Sequence, residues 1–500
     1  MCDNEKSGKL ETKRAIISLA LVLSAPRTYL PESKSSMNNK LLTKSIGLFA
    51  AVLLAISVGF AQPQAPLLQE IKVYKASPTP SPSVPNSYPS KPSLVKKTGE
   101  SLPIGATTSS VRTMFPMLAS VEIPGYSGVI VESMDGKTVL ESNPGLLFNP
   151  ASNVKVATTY AVLRTFGPDF RFQTNVYTDG AIDRSTGTLN GNLYVSGKDP
   201  VFGFEHAVSI ANELNRMGVR TVTGDLIVTD NFAMNYGGSA MKSGQTLNAV
   251  LDASKRSAAA TRVWENYLAF SGKLNQVAGV PSVTFTGATY VQPIPSNLQL
   301  LFTHESAQLR EIVKAMMCYS NNFVAERLGD TLGGPYAVAR IVQQNAGIPA
   351  NEFSLQTSSG LGYNRVTPQA MMRLLRTLRG DLDRYKMSFA DIMPVAGVDK
   401  GTLAGRFDSD FSPGSVVGKT GTLGNTDAGV SALSGEINTR NGKLLFVIFN
   451  QRGSVPRFRA FQNNFVSLVQ GQFGGAQSLG YQPISLDVRL ARSRIINSRY

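Results

Sequence analysis

A β-hairpin near the start of the patterned region and two β-rich runs near its end set the strongest limit on how this chain can fold. Val129 to Leu140 reads as two strands around Asp135-Gly136, a dipeptide suited to the positive φ angles of a type I′ turn. Much later, Gly414 to Ile437 and Lys443 to Gln451 show β patterning again. A helix follows each set: Ser152 to Phe166, introduced by Pro150 and closed by Gly167-Pro168, and about Arg457 to Gln472. Strands at both ends of the region, each with a helix to cover an apolar face, predict an α+β fold with an antiparallel sheet flanked by helices. Glu305 to Leu328, Tyr336 to Asn345 and Pro368 to Leu378 supply further helical patterning. Residues 172–300 look different, with short strands (Leu193 to Val195, Asp225 to Val228) around one helix, Glu205 to Met217. The expected organisation is a main body of 119–177 and 300–475, a mostly β inserted domain of 178–299, and a tail of 476–500.

Composition excludes several chemistries. Two cysteines, Cys2 and Cys318, cannot build a disulfide framework or a thiolate zinc site. Two histidines, His206 and His304, leave little for a metal centre, and neither sits in a context that suggests a Ser-His-Asp triad. No metal or other cofactor is expected. The net charge of +15 comes from 49 Lys+Arg against 34 Asp+Glu. It is uneven: residues 1–118 hold 14 basic against 6 acidic groups, residues 484–500 hold 4 against 1, and 119–483 are nearly balanced. With no basic run or RNA-binding motif in the body, nucleic acid is not the expected partner.

The N-terminal 118 residues read as an export segment (1–61) and a tether (62–118). Ile46 to Phe60 is apolar, follows Lys40 and Lys44, and precedes the small residue Ala61. A basic stretch, a short apolar core and small residues describe a secretory signal of 37–61, with Met37 as the start and residues 1–36 ahead of it. Retention as an uncleaved anchor is the competing reading, and fifteen apolar residues fall short of the ~20 that a spanning helix needs. Six prolines among serines in 78–92 then favour extended polyproline conformations over helix or strand. The expected location is the periplasm or cell envelope, with the basic tether and tail available to wall or membrane polyanions.

Three short patterns carry chemistry: Ser152-Asn153-Val154-Lys155, Ser320-Asn321-Asn322 and Lys419-Thr420-Gly421. Each is weak alone. Ser93-Leu94-Val95-Lys96 and Lys97-Thr98-Gly99 repeat two of them in the tether, where no element holds the side chains in place. Context separates the two sets. Ser152 opens a predicted helix, and residues i and i+3 share a face, so Lys155 can reach its hydroxyl. A lysine of ordinary pKa near ~10.4 is a poor base at neutral pH. Burial and a like charge would lower that value, and Lys419 on a nearby strand is the candidate neighbour. Ser320 would relay a proton from Lys155 to the leaving group, and Asn322 would hold a substrate amide. Lys419 and Thr420 suit a terminal carboxylate, and the N–H groups of Ser152 and Thr422 suit an oxyanion.

With those motifs goes the surrounding text: NPASNVKVATTYAVLRTFGPDFRFQT, GNLYVSGKDPVF, VTGDLIV, YSNNFVAERLG, SSGLGYNRVTPQAMMRLL and VVGKTGTL. Over about 120–475 the chain resembles the D-alanyl-D-alanine carboxypeptidase/endopeptidase family of the penicillin-binding protein 4 type, a group built on the same motif set. The long first gap between motifs resembles the domain that this family inserts there. The resemblance implies a β-lactamase/transpeptidase-like body and a penicillin-binding serine peptidase. Ser152 would be the acyl-enzyme nucleophile and Lys155 its base, with Ser320, Asn322, Lys419, Thr420, Gly421 and Thr422 completing the site. Peptidoglycan stem peptides and β-lactams are the implied ligands. Asp199 matches a family Gly-Asp-Pro segment and is a candidate substrate contact, or equally a structural turn residue. Thr357 to Tyr363 stands where the family usually reads Asp-Gly-Ser-Gly-Leu-Ser-Arg, so Tyr363 replaces a basic residue. A β-lactamase or esterase on the same fold, or a weakly active wall-binding protein, are the alternatives. Both histidines are expected to be structural, and Cys318 to be a buried apolar residue.

Overall fold

The computed structural model describes residues 111–498 apart from 275–276, 278 and 409–412. The export segment and nearly all of the tether lie outside the described residues. Among those described, no helix is long and apolar enough to cross a membrane.

The two ends of the body do meet in one antiparallel sheet of six strands. Its order is Arg112–Thr113, Thr138–Ser142, Tyr126–Ser133, Gly442–Gln451, Val430–Thr439 and Val416–Leu423. The Asp135-Gly136 hairpin therefore pairs with the late strands through Tyr126–Ser133, which lies against Gly442–Gln451 over eight residue pairs. Side chains alternate across a strand, and both faces of this sheet are apolar. Leu445, Val447 and Phe449 point to the core that holds the helix Val154–Phe166, while Leu444, Phe446 and Ile448 point to the one that holds Val455–Gln472. Each large side chain buried there contributes about 1.5–3 kcal/mol of transfer free energy. The strand Val416–Leu423 is left at the sheet edge, where its outer side meets only the Pro394–Ala396 segment near its start.

The helical pattern expected over Glu305 to Leu328 breaks into three elements. A strand, Gln299–Glu305, runs into the helix Leu309–Tyr319, and a second helix covers Asn322–Asp330. The interruption is chemical. Ser320 takes a left-handed conformation with φ 55°, and the Asn321 side chain accepts the Val324 N–H at 3.1 Å as an N-cap.

Residues 173–305 form a second core. A mixed sheet runs Thr289–Val291, Leu226–Val228, Leu193–Gly197, Gln173–Thr178, Gln299–Glu305 and Arg494–Asn497, beside a smaller four-stranded sheet. Three helices cover it: Phe204–Arg216, Ala240–Leu251 and Ala258–Ser271. The segment expected to be mostly β is thus mixed, because the last two helices bury only a narrow stripe (Leu247, Val250, Leu251; Ala260, Trp264, Leu268) and their periodicity is weak. The C-terminal stretch is not a free tail, since Arg494–Asn497 is the edge strand of this sheet. Its described basic groups are already matched: Arg489 and Arg492 to Glu311, Arg494 to Glu305.

Candidate active site

The turn that delivers Ser152 is strained and tightly wedged. Ala151 sits at φ 46°, a conformation that L-residues avoid, and a short 3-10 turn over Ala151–Asn153 leads into the helix Val154–Phe166. Two glycines hold it there. A Cβ on Gly421 would lie 2.6 Å from the Pro150 carbonyl oxygen, and one on Gly360 would lie 2.0 Å from the Ala151 carbonyl oxygen. Gly421 thus allows the edge strand to lie flat on the turn. Gly360, at φ 92°, lets the 357–363 loop close over it from another side.

Lys155 is fully buried one helical turn after Ser152. Its Nζ lies 3.3 Å from Ser152 Oγ, 2.7 Å from Asn322 Oδ1 and 2.6 Å from the Ser359 carbonyl oxygen. A neutral amine has two protons and one lone pair. The two protons match the two obligate acceptors, which leaves the lone pair directed at the serine hydroxyl. Burial and the nearby charge of Lys419 push the Lys155 ammonium well below its ordinary pKa, and Glu326 pulls it part of the way back.

Lys419, also fully buried, reaches from the edge strand to Ser320 Oγ at 2.9 Å and to the Thr420 carbonyl oxygen at 2.7 Å. Burial lowers it to about 7. The third buried lysine offers a contrast. Lys314 is paired to Asp399 at 2.6 Å and to the carbonyls of Ala390 and Met393, and so pins the loop that bridges Val395 to Val417 on the edge strand. Lys155 and Lys419 have no carboxylate within ion-pair distance among the described residues. Buried lysine amines without a carboxylate partner, brought to one point, are what a functional site looks like rather than a structural one.

The first, second and third motifs therefore converge. Ser152, Lys155 and Asn322 form one run of contacts and Ser320, Lys419 and Thr420 a second, the two joined into one chain by the charge of Lys419 acting on Lys155, while Gly421 packs against the Ser152 turn. On the edge strand, the Gly418 N–H points outward to the Pro394 carbonyl. Backbone groups alternate along a strand, so the N–H groups of Thr420 and Thr422 also face outward. Asp199 is not part of this chain. It is buried, its Oδ1 accepts the Val201 N–H at 3.0 Å, and burial raises its carboxyl to about 6.

The histidines pack against each other in the second core, with ring centroids 4.7 Å apart. Cys318 is fully buried, and burial pushes its thiol up to about 12. Tyr363 is exposed, and the guanidinium of Arg365 lies 5.9 Å from its ring while binding Asp427 through both nitrogens.

Sequence reading missed Glu326. Its two carboxylate oxygens accept the N–H groups of Ser358 and Ser359, each at 3.0 Å, which fixes the carbonyl that Lys155 contacts. Thr158 Oγ1 donates to the Ser358 carbonyl at 2.6 Å and supports the same loop. The available signal was spacing: Glu326 is four residues after Asn322 on one helix face, and Thr158 three after Lys155. Among the described residues no cluster of three His, Cys, Asp or Glu could hold a metal ion.

The family described as Peptidase_S13, the D-Ala-D-Ala carboxypeptidase 3 (S13) family, matches residues 117–242 and 249–470. A D-alanyl-D-alanine carboxypeptidase of Actinomadura sp. (strain R39) is 26% identical over 463 residues, covering 72% of this chain and 84% of the relative. D-alanyl-D-alanine carboxypeptidase DacB of Haemophilus influenzae is 24% identical over 457 residues, covering 71% and 93%. Among solved structures, a predatory peptidoglycan endopeptidase of Bdellovibrio bacteriovorus superposes with a TM-score of 0.62 at 22% identity, over 75% of this chain and 100% of that one. Penicillin binding protein 4 of H. influenzae gives 0.52 at 22% identity, over 69% and 96%.

Proposed function

From the premise that the chain belongs to the D-Ala-D-Ala carboxypeptidase 3 (S13) family, we propose how its site works. The protein is a serine-type D-alanyl-D-alanine carboxypeptidase/endopeptidase that acts on peptidoglycan stem peptides through an acyl-enzyme, and it binds penicillins. The observation that carries the mechanism is the single buried amine of Lys155 between Ser152 Oγ and two fixed acceptors.

Neutral Lys155 takes the Ser152 proton as Oγ attacks the carbonyl of the penultimate D-Ala. The oxyanion forms between the N–H groups of Ser152 and Thr422, which is charge stabilisation by donors already in place. Ser320, hydrogen-bonded to Lys419, passes a proton to the leaving amine and takes the proton held on Lys155, so the C–N bond breaks and Lys155 is neutral again. Asn322 is held by Lys155 through Oδ1, so its amide nitrogen is the end that meets a peptide carbonyl. Water then attacks the ester with Lys155 again as base, and Ser152 is restored. The same steps cut a D-Ala crosslink, where the leaving amine belongs to a neighbouring stem.

The site residues act from a catalytic domain of 119–177 and 300–475, with 178–299 as the inserted domain. The loop of that insert near Asn231 reaches the second motif, since Arg327 donates to the Asn231 carbonyl and Tyr236 packs on Phe323. The protein works outside the cytoplasmic membrane, in the periplasm or envelope. Basic groups of the tether supply contact with wall or membrane polyanions; Arg489, Arg492 and Arg494 are engaged with Glu311 and Glu305.

Labelling with a fluorescent penicillin tests the mechanism. One covalent adduct, mapped to Ser152 and lost in Ser152→Ala, is expected, together with release of D-Ala from an acyl-D-Ala-D-Ala peptide. An adduct that survives Ser152→Ala overturns it.

A further inference from the structure

The third motif ends beside a guanidinium that the motif pattern does not include. Arg459, on the helix Val455–Gln472, donates from Nη2 to Thr422 Oγ1 at 3.0 Å. Both groups are exposed. Among the described residues, Arg459 has no carboxylate within ion-pair distance. Its charged neighbour is another cation, Arg406, which is itself engaged with Gln462 and Asn463. A solvent-facing guanidinium with no carboxylate partner at this point is open to an incoming anion.

The strand geometry says where that anion lies. Residues i and i+2 share a face, so the Thr420 and Thr422 hydroxyls stand together, while Lys419 and Gly421 face the Ser152 turn. If the Thr422 N–H holds the scissile carbonyl oxygen, the next residue of the substrate begins about one Cα spacing away, ~3.8 Å. Its carboxylate falls at the Thr420 and Thr422 hydroxyls. Lys419 is a poor anchor for it, because Nζ is buried and already bonded to Ser320 and to the Thr420 carbonyl. Arg459 presents a planar fork that suits a carboxylate.

We propose that Arg459 is a substrate-binding residue that, with the hydroxyls of Thr420 and Thr422, holds the α-carboxylate of the leaving residue. This rests on the proposed function and adds the residue that makes the site select amides whose leaving amine carries a carboxylate. It applies equally to a terminal D-Ala and to a crosslinked residue that keeps its carboxylate next to the cleaved bond.

The test compares diacetyl-L-Lys-D-Ala-D-Ala with its C-terminal carboxamide on the full-length protein. In wild type, kcat/KM favours the free acid. In Arg459→Met, the free acid is expected to lose about 10- to 100-fold, as for loss of one charge-assisted contact, with the carboxamide changed by less than about threefold. Arg459→Lys should recover part of the loss. An acid-to-amide ratio unchanged in Arg459→Met, or an equal loss on both substrates, overturns the inference. Wild-type protein that hydrolyses neither peptide and forms no penicillin adduct defeats the proposed function itself, and this inference with it.

Discussion

Replacing Lys419 with methionine should make the protein more stable at neutral pH while removing acylation. Lys419 is fully buried, has no carboxylate partner among the described residues, and titrates at about 7 in the folded chain. In the unfolded chain its value returns to ~10.4. Between those two pH values the unfolded state binds the extra proton, so wild-type stability rises with pH through that window. Below pH 7 the full penalty is present, roughly 5 kcal/mol from 1.36 kcal/mol per pH unit; near pH 10 it is almost gone. Methionine fills a similar volume without charge. It forfeits the contacts to Ser320 Oγ and the Thr420 carbonyl, about 1 kcal/mol each. The net expectation is a gain of about 2 kcal/mol at pH 7, near zero around pH 9, and a loss of about 1 kcal/mol at pH 10. Urea unfolding of Lys419→Met and wild type at each pH from 6 to 10 reads this difference directly. A variant less stable than wild type at pH 7, or a difference that does not change with pH, refutes the reasoning.

Three further outcomes follow from the same geometry. Glu326→Gln removes the charge that holds the Lys155 ammonium up and one of two acceptors for the Ser358 and Ser359 N–H groups. The acid limb of the penicillin acylation rate should therefore move to lower pH, with a stability loss of about 1.5–3 kcal/mol; a limb that moves upward contradicts the assignment of Lys155 as base. Gly360→Ala places a Cβ on the Ala151 carbonyl at a φ that costs an L-residue about 1–2 kcal/mol. Acylation should fall at least tenfold even at temperatures where circular dichroism reports a folded chain. Finally, with Cys2 replaced by serine, Cys318 should not react with a thiol reagent until the protein unfolds, given its burial and its thiol raised to about 12; stoichiometric labelling of that variant in its native state would count against the packing described.

What could be read from the chain and what could not divide along a physical line. The hairpin, the late strands and the helix after Ser152 depend on local turn chemistry and on periods of 2 and 3.6, so they were legible. Ser152 with Lys155 was legible for the same reason, since three residues on a helix fix their proximity. Lys419 could be named but not placed until its strand was seen to be the sheet edge. Spacing could place Glu326 on the Asn322 face of its helix but not against Ser358 and Ser359, 32 or 33 residues away, and Gly360 and Arg459, the latter 37 residues from Thr422, carry no spacing signal at all. The helical patterning read over Glu305 to Leu328 gave no sign of the interruption at Ser320, because a helical apolar stripe continues across the break. Only the cap made by Asn321 and the φ of Ser320 interrupt it.

That break is also where the cost of the site becomes intelligible. Two serines and two lysines meet at one point, and each arrives by an unfavourable route. Ser152 follows an alanine at φ 46°, Ser320 itself lies at φ 55°, and both lysines are buried with no carboxylate within ion-pair distance among the described residues. Positive φ costs an L-residue about 1–2 kcal/mol, so the two together oppose folding by a few kcal/mol before the lysines are considered. Each would relax if its surroundings yielded: the turn by flattening, Ser320 by joining the two helices, Lys155 and Lys419 by reaching water. None can yield alone. The Ser152 turn is trapped between Gly421 and Gly360, Ser320 is tied through its hydroxyl to Lys419, and Lys419 belongs to a strand paired along its whole length with Val430–Thr439. That strand in turn belongs to a sheet with an apolar core on each face. A sheet buried on both sides is therefore what lets this site stay strained and unpaired, and substitutions that loosen either core should damage acylation before they unfold the protein.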